Sequence, residues 1–182
     1  NDFSSVLFVL LASVGNIILI FYFGKLLFSE KIGLMSAFLL SFFPLEVVYS
    51  TKLLSDLPSA FFMALGVYLF LYSEKKKPNS ILYLFSGISI GIGYLIRESA
   101  LLIALFFAFY ILYKGQIKKQ YFLVPLGVLS VLAIEAFVFY KLTGNPFFRT
   151  EESQKYLAEV AKVHNYFGRL DFPSGLFHYP YI

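Results

Sequence analysis

Six apolar stretches, each close to the length of a bilayer crossing and parted by short polar breaks, constrain this chain more than any other feature. They run over about 5–24, 32–50, 57–73, 80–97, 99–113 and 121–140. A helix needs roughly 20 mostly apolar residues to cross the hydrocarbon core. Charged residues make up only 14% of the 182, against about 25% in a soluble domain. The chain is therefore expected to be all-α: a polytopic transmembrane helix bundle of about six spans over 1–140, with a different kind of segment over 141–182. The fifth stretch is short and must lean on its neighbours or on flanking Tyr anchors. Pro44, in "SFFPLEVVYS", is expected to kink the last turns of the second stretch away from the bundle.

Lys and Arg orient the set. Eight cations fall in three breaks (Lys25 and Lys31; "EKKK" at 74–77; "KGQIKK" at 114–119), and the two alternate breaks hold one each, Lys52 and Arg97. By the positive-inside rule the first group is cytoplasmic. Residues 51–56, 97–98 and 141–182 are then extracytoplasmic, and the protein is a multi-pass membrane protein of the cell envelope. The formal charge of +4 is spread over short loops and does not point to nucleic acid. With no Cys there is no disulfide framework and no thiolate metal site. The start, "NDFSSVLFVLL", lacks a basic n-region, and the end, "LFHYPYI", turns apolar again; the sequence reads as an internal piece of a longer protein.

"SGISIGIGYLIR" sets Gly87 and Gly91 four apart, with Gly93 nearby, a spacing that lets membrane helices approach closely. "TGNPFF" is a turn. Beyond Thr150, Tyr156, Leu157, Val160, Ala161 and His164 form one helical stripe. An amphipathic helix lying on the outer surface is expected there, broken by "GRLDFPSG".

Ionisable groups at membrane depth cost about 2.5–3.5 kcal/mol on insertion scales and often mark sites. Under this orientation Glu46, Lys52, Asp56, Arg97, Glu98 and Glu135 all fall toward the outer half. Glu30 and Glu74 are assigned to cytoplasmic loops, which leaves no buried acid in the inner half. Each residue also has a structural reading. Asp56, just ahead of Pro58, suits the cap of the third span; Lys52 can snorkel; Arg97 and Glu98 can end the fourth span; Glu46 can reach water at the interface; Glu135 can be a hydrogen-bonded structural partner. Glu151, Glu152 and Glu159 read as a solvated helix face. His164 and His178 have no partner at ligand spacing, so no metal site is assigned. The chemistry that fits the outer set is group transfer from a lipid-anchored phosphate. Arg97 and Lys52 hold the phosphate, by a fork and as a point charge, with Glu98 beside them. Asp56, with Glu46 as the second catalytic carboxylate, orients an acceptor hydroxyl, takes its proton, or shares a divalent cation with the phosphate. The apolar spans cradle a polyprenyl tail.

"FGKLLFSEKIGLMSAFLLSFFPLEVVYSTKLLSDLPSAFFMALGVYLFL", "GIGYLIRESALL" and "YKLTGNPFFR", taken in order, resemble the GT-C fold membrane glycosyltransferases. The likeness is to the family 39 group of dolichyl-phosphate-mannose protein mannosyltransferases and lipid A aminoarabinose transferases. It implies an enzyme that takes a sugar from a polyprenyl-phosphate donor at the outer leaflet, inverts its configuration, and passes it to a protein, lipid or glycan acceptor. Asp56 matches the family's acidic position in the second outer loop and Arg97 a basic one at the end of the "GIGYLIR" span. In that family the usual catalytic base is an acid in the first outer loop, ahead of two spans that this sequence lacks. Asp2 does not match that motif, so the piece is expected to be inactive alone.

Two other readings compete. A transporter or flippase component for lipid-linked or polar substrates would need a polar path through the inner half and repeated halves with broken helices; neither is found. A non-catalytic scaffold would leave the outer charges as independent caps and snorkels. An oligosaccharide ligase or polymerase differs only in donor and acceptor.

Overall fold

A computed structural model of the chain describes residues 2–52, 54–76 and 78–166, and every regular element among them is helical. The expected apolar stretches become seven of its eight α-helices: α1 (Asp2–Leu27), α2 (Glu30–Ser41), α3 (Pro44–Ser50), α4 (Asp56–Lys75), α5 (Ser80–Ile96), α6 (Ile103–Lys114) and α7 (Leu123–Thr143). The eighth, α8 (Phe148–Tyr166), follows the "TGNPFF" turn. Among the described residues three helical runs are long and apolar enough to cross a membrane, Val6–Leu27, Asp56–Lys75 and Lys119–Thr143, with a fourth span if the bent pair α2–α3 counts as one. The second stretch is not one rod. Pro44 forces extended backbone on Phe43 (φ −69°, ψ 122°), and α2 and α3 meet there at a 61° bend. The fifth is shorter still than expected, because a 3-10 turn over Glu98–Leu102 takes up its start and leaves α6 with 12 residues.

Local chemistry sets the ends. The Ser29 hydroxyl accepts from the Ile32 N–H at the head of α2, and Asn79 Oδ1 accepts from the Ile81 N–H at the head of α5. Gly115 closes α6 at φ 63°, the left-handed position that terminates helices. Before α8, Gly144 turns the chain at φ 74° and Asn145 Oδ1 accepts from the Phe147 N–H at 2.9 Å.

The chain packs as two units, Asn1–Ala133 and Ile134–Ile182. In the first, α4 is central. α1 runs beside it in the same sense, with Asn16 reaching Leu57 and Phe23 reaching Tyr68. α5 returns against it, with Ser59 opposite Gly93 and Ser86 opposite Gly66. Those two serines donate to carbonyls of the facing helix at 3.1 and 2.7 Å. Hydrogen bonds of this kind are worth about 0.6 kcal/mol each on average in membranes. α7 crosses α5 where Gly87 meets Val124 and Gly127: a Cβ on Gly87 would lie 2.0 Å from the Val124 carbonyl oxygen, and one on Gly127 would lie 2.4 Å from that of Leu84. The small-residue spacing of α5 thus serves α7, with Gly91 against Val131 completing the seam. In the second unit, Glu135 pairs with Arg149 at 2.9 Å and the Phe139 and Phe148 rings lie 5.8 Å apart.

The first unit buries polar groups among apolar ones and turns many large apolar side chains outward. Ser13, Ser59, Ser73, Ser86 and Glu46 are buried, while Leu11, Met35, Phe38, Leu39, Phe109 and Leu129 point outward. Hydrocarbon is as good a neighbour for Leu as a protein core, so large apolar side chains can face lipid, and small and hydrogen-bonded groups can share the interior with apolar ones. Part of the buried core is aromatic: Phe70, 1% exposed, sits among Tyr83, Phe106, Phe107, Tyr110 and Tyr121 with ring centroids 5.0–6.4 Å away.

Gly87→Ala is expected to force α5 and α7 apart and to cost about 1–3 kcal/mol by overpacking. Gly93→Ala, whose Cβ would meet the flexible Met63 side chain at 3.3 Å, should stay near the parent. Thermal unfolding of both variants in detergent micelles measures the contrast, and equal melting temperatures would sink the close-crossing account.

Candidate functional site

Asp56 and Arg97 come from breaks about forty residues apart in sequence and form an ion pair. Asp56 opens α4. Arg97 is the C-cap of α5 and sits in extended backbone (φ −152°, ψ 124°), which turns its side chain out of the helical series. The antiparallel packing of α4 on α5 brings these two ends together, and the Ser59 bond to the Gly93 carbonyl holds the helices one turn below. The side chains remain 39% and 46% exposed respectively, so the pair is open to a ligand. Asp56 is not the N-cap: Ser55 holds that position and makes no side-chain cap bond. The carboxylate instead lies in the first turn, where the positive helix end favours it, and faces the guanidinium.

The other candidates distribute around this pair. Lys52 is exposed in the turn between α3 and α4, and Glu98 is exposed at the head of the 3-10 turn after Arg97. Glu46 departs from the expectation of a side chain reaching water. It is 9% exposed, and Ser13 Oγ donates to its Oε1 at 2.6 Å. The reason is the bend at Pro44, which lays α3 over α1 and turns Glu46 inward. Glu46, Asn16 and Leu57 line an open cavity of about 250 Å³ between α1, α2, α3 and α4. Ser13 and Asn16, polar residues in the apolar middle of α1, carry this part of the site. They are legible only as small interruptions in "LLASVGNIIL".

A second cluster, at the far end of α4, corrects the assignment of Glu74 to a loop and the claim that the inner half buries no acid. Glu74 lies inside α4 with its side chain 4% exposed. The Tyr83 hydroxyl donates to Oε1, that of Tyr110 to Oε2 at 3.5 Å, and Lys118 Nζ reaches both oxygens at 2.9 Å. A carboxylate has about four acceptor sites, so the cluster is filled by the protein itself. It ties α4, α5, α6 and the segment entering α7 together beside Phe70. At 1.5 Å per residue it stands roughly 27 Å along α4 from Asp56. The sequence hides it because "EKKK" has the look of a solvated loop, whereas the helix runs on past Glu74.

Glu135 has the structural partner considered for it, Arg149. α8 is a helix over the residues where an amphipathic one was expected, and Tyr156 on it is exposed. His178 and the "GRLDFPSG" break lie outside the described residues. Among the described residues no three His, Asp or Glu side chains gather as a metal-binding group.

With this geometry in place, comparison with known families is informative: the model of the dolichyl-phosphate-mannose-protein mannosyltransferase family matches residues 1–140. The chain belongs to that family. It is a family of membrane glycosyltransferases, which in general use lipid-linked sugar donors and pass the sugar to glycan or protein acceptors. No curated protein and no solved structure matches the chain. The match takes in Asp56, Arg97, Lys52, Glu98 and Glu46 and the Glu74 cluster.

Glu74→Ala leaves two tyrosine hydroxyls without their acceptor and should destabilise the fold by about 1–3 kcal/mol. Glu74→Gln, which keeps an acceptor oxygen, should fall between it and the parent. Thermal unfolding in detergent reads both, and a melting temperature unchanged by the alanine would refute the clamp.

Proposed function

We propose that the protein moves a sugar from a polyprenyl-phosphate-linked donor to an acceptor at the outer face of the membrane, with the Asp56–Arg97 pair at the centre of the site. The observation that supports this reading is the pair itself: a carboxylate and a guanidinium meet, half-exposed, at the junction of two membrane helices in a chain of this family. A guanidinium has five N–H donors in a fixed fork. Pairing with Asp56 leaves donors for phosphate oxygens, which Arg engages bidentately. Lys52 adds a point charge to the same phosphate, and Glu98 is a hydrogen-bond acceptor for sugar hydroxyls.

In the proposed step Asp56 accepts the proton of an acceptor hydroxyl as that oxygen attacks the anomeric carbon. The bond from that carbon to the phosphate oxygen breaks, and its electrons leave with the polyprenyl phosphate, whose growing charge Arg97 stabilises. A single displacement inverts the configuration. Glu46, held by Ser13 on the neighbouring cavity, is the second carboxylate within the outer set. The accompanying topology has six spans, with the breaks at 51–56 and 97–98 and the segment from 141 outside, and the Glu74 cluster on the cytoplasmic side.

Asp56→Asn in membranes carrying the full-length protein should lower transfer from a polyprenyl-phosphate sugar by about 10²–10⁴-fold, the usual worth of a general base. Arg97→Lys, which keeps the charge and loses the fork, should raise KM for the donor about tenfold, as a lost charge-assisted hydrogen bond of about 1.5 kcal/mol implies. Parental turnover in Asp56→Asn would end this assignment.

The absence of Cys makes orientation directly readable. Lys52→Cys should react with a membrane-impermeant maleimide in intact cells, and Lys76→Cys only after permeabilisation. The reverse pattern would invert the topology and remove the outer-face site.

A further inference from the structure

Glu46 differs from the other buried acid of the first unit. Glu74 is balanced by Lys118. Among the described residues, Glu46 receives one hydrogen bond, from Ser13, and no Lys, Arg or His forms an ion pair with it. A carboxylate offers about four acceptor sites, and a buried charge is ordinarily paired. This one is nine-tenths buried, and it lines the cavity of about 250 Å³ rather than solid packing.

The rest of that cavity specifies what would complete it. Asn16 donates its side-chain N–H to the Leu57 carbonyl at 3.3 Å, which leaves its Oδ1 as a second acceptor on the wall. Two acceptors, one of them anionic, call for a ligand that brings donors and positive charge; a phosphate or carboxylate would be repelled. No group of three metal-ligating side chains gathers among the described residues, so a cation with its own N–H donors fits better than a metal ion. The remaining wall is apolar, with Leu19, Leu40 and Ala64. At Ile20 and Phe23 the cavity adjoins a second groove of about 300 Å³ that continues along α1 past Leu27. The whole has a polar head and a long apolar track.

We propose that this cavity binds an amphiphile bearing a primary ammonium group. The ammonium sits on Glu46 and Asn16 Oδ1, and the hydrocarbon chain follows the groove between α1 and α2. Three N–H donors and no acceptor make an ammonium the complement of this pair of acceptors. Because Leu57 forms part of the same wall, the bound head group lies beside the residue that follows Asp56.

The full-length protein in phosphocholine nanodiscs, read by native mass spectrometry, tests this with dodecylammonium, dodecanol and methylammonium. One dodecylammonium per protein should bind at least tenfold tighter than dodecanol. Glu46→Gln, which can still accept from Ser13, should reduce the amine to the alcohol's affinity. Ala64→Leu should fill the cavity and weaken both. Equal binding of amine and alcohol to the parent protein would overturn the proposal without recourse to any variant, as would undiminished amine binding by Glu46→Gln. Displacement of dodecylammonium by methylammonium at equal concentration would show that the amine alone is recognised and would remove the lipid track from the site.

Discussion

Hydrocarbon gives a helix bundle no reward for turning large apolar side chains inward, and the rest of this structure follows from that constraint. What remains available is close approach, hydrogen bonding and shape. The Gly87–Gly127 crossing uses the first, setting α5 and α7 at backbone contact. The Ser59 and Ser86 bonds to facing carbonyls use the second. The aromatic nest around Phe70 uses the third, with rings packed edge to face where offset quadrupoles attract. Because these contacts are short-ranged and directional, they fix the angles and registers of α4, α5 and α7. Those registers in turn decide which polar groups meet.

α4 shows the consequence at both ends. Its first residue, Asp56, meets Arg97 at a half-exposed junction, while Glu74, next to its last residue, is enclosed by tyrosines and a lysine. The same pairing of unlike charges therefore has two uses. Where water reaches, the fork of the arginine keeps unused donors and the pair can rearrange around a ligand. Where the carboxylate's acceptor sites are filled by the chain, the pair is a fastening. Burial and the number of satisfied lone pairs separate the two, not the identity of the residues.

Much of this was legible beforehand. The apolar stretches, the break at Pro44, the glycine spacing of α5 and the "TGNPFF" turn are local signals, and the helices, the 61° bend, the α5–α7 seam and the Asx turn follow them. Asp56 and Arg97 were each singled out by residue type and by a break assigned to the same side of the bundle, in separate roles rather than as an ion pair. Glu46 and Glu74 were misread for one shared reason: whether a carboxylate near a helix end is wet depends on what the neighbouring helices place over it. For Glu46 that is the return of α3 across Ser13; for Glu74 it is Tyr83 and Lys118, nine and forty-four residues away in sequence.

The sequence by itself determined that the chain is a set of apolar helices, roughly where they break, and to which family it belongs. Those properties rest on hydropathy, capping and glycine spacing within a single segment, and on residue order. Only the tertiary structure decided that Asp56 touches Arg97, that Glu46 is buried against a cavity, and that Glu74 is closed in. Each of these depends on the rotation of one helix against another. A one-residue change of register turns a side chain by about 100°, and nothing inside a single helix fixes that angle.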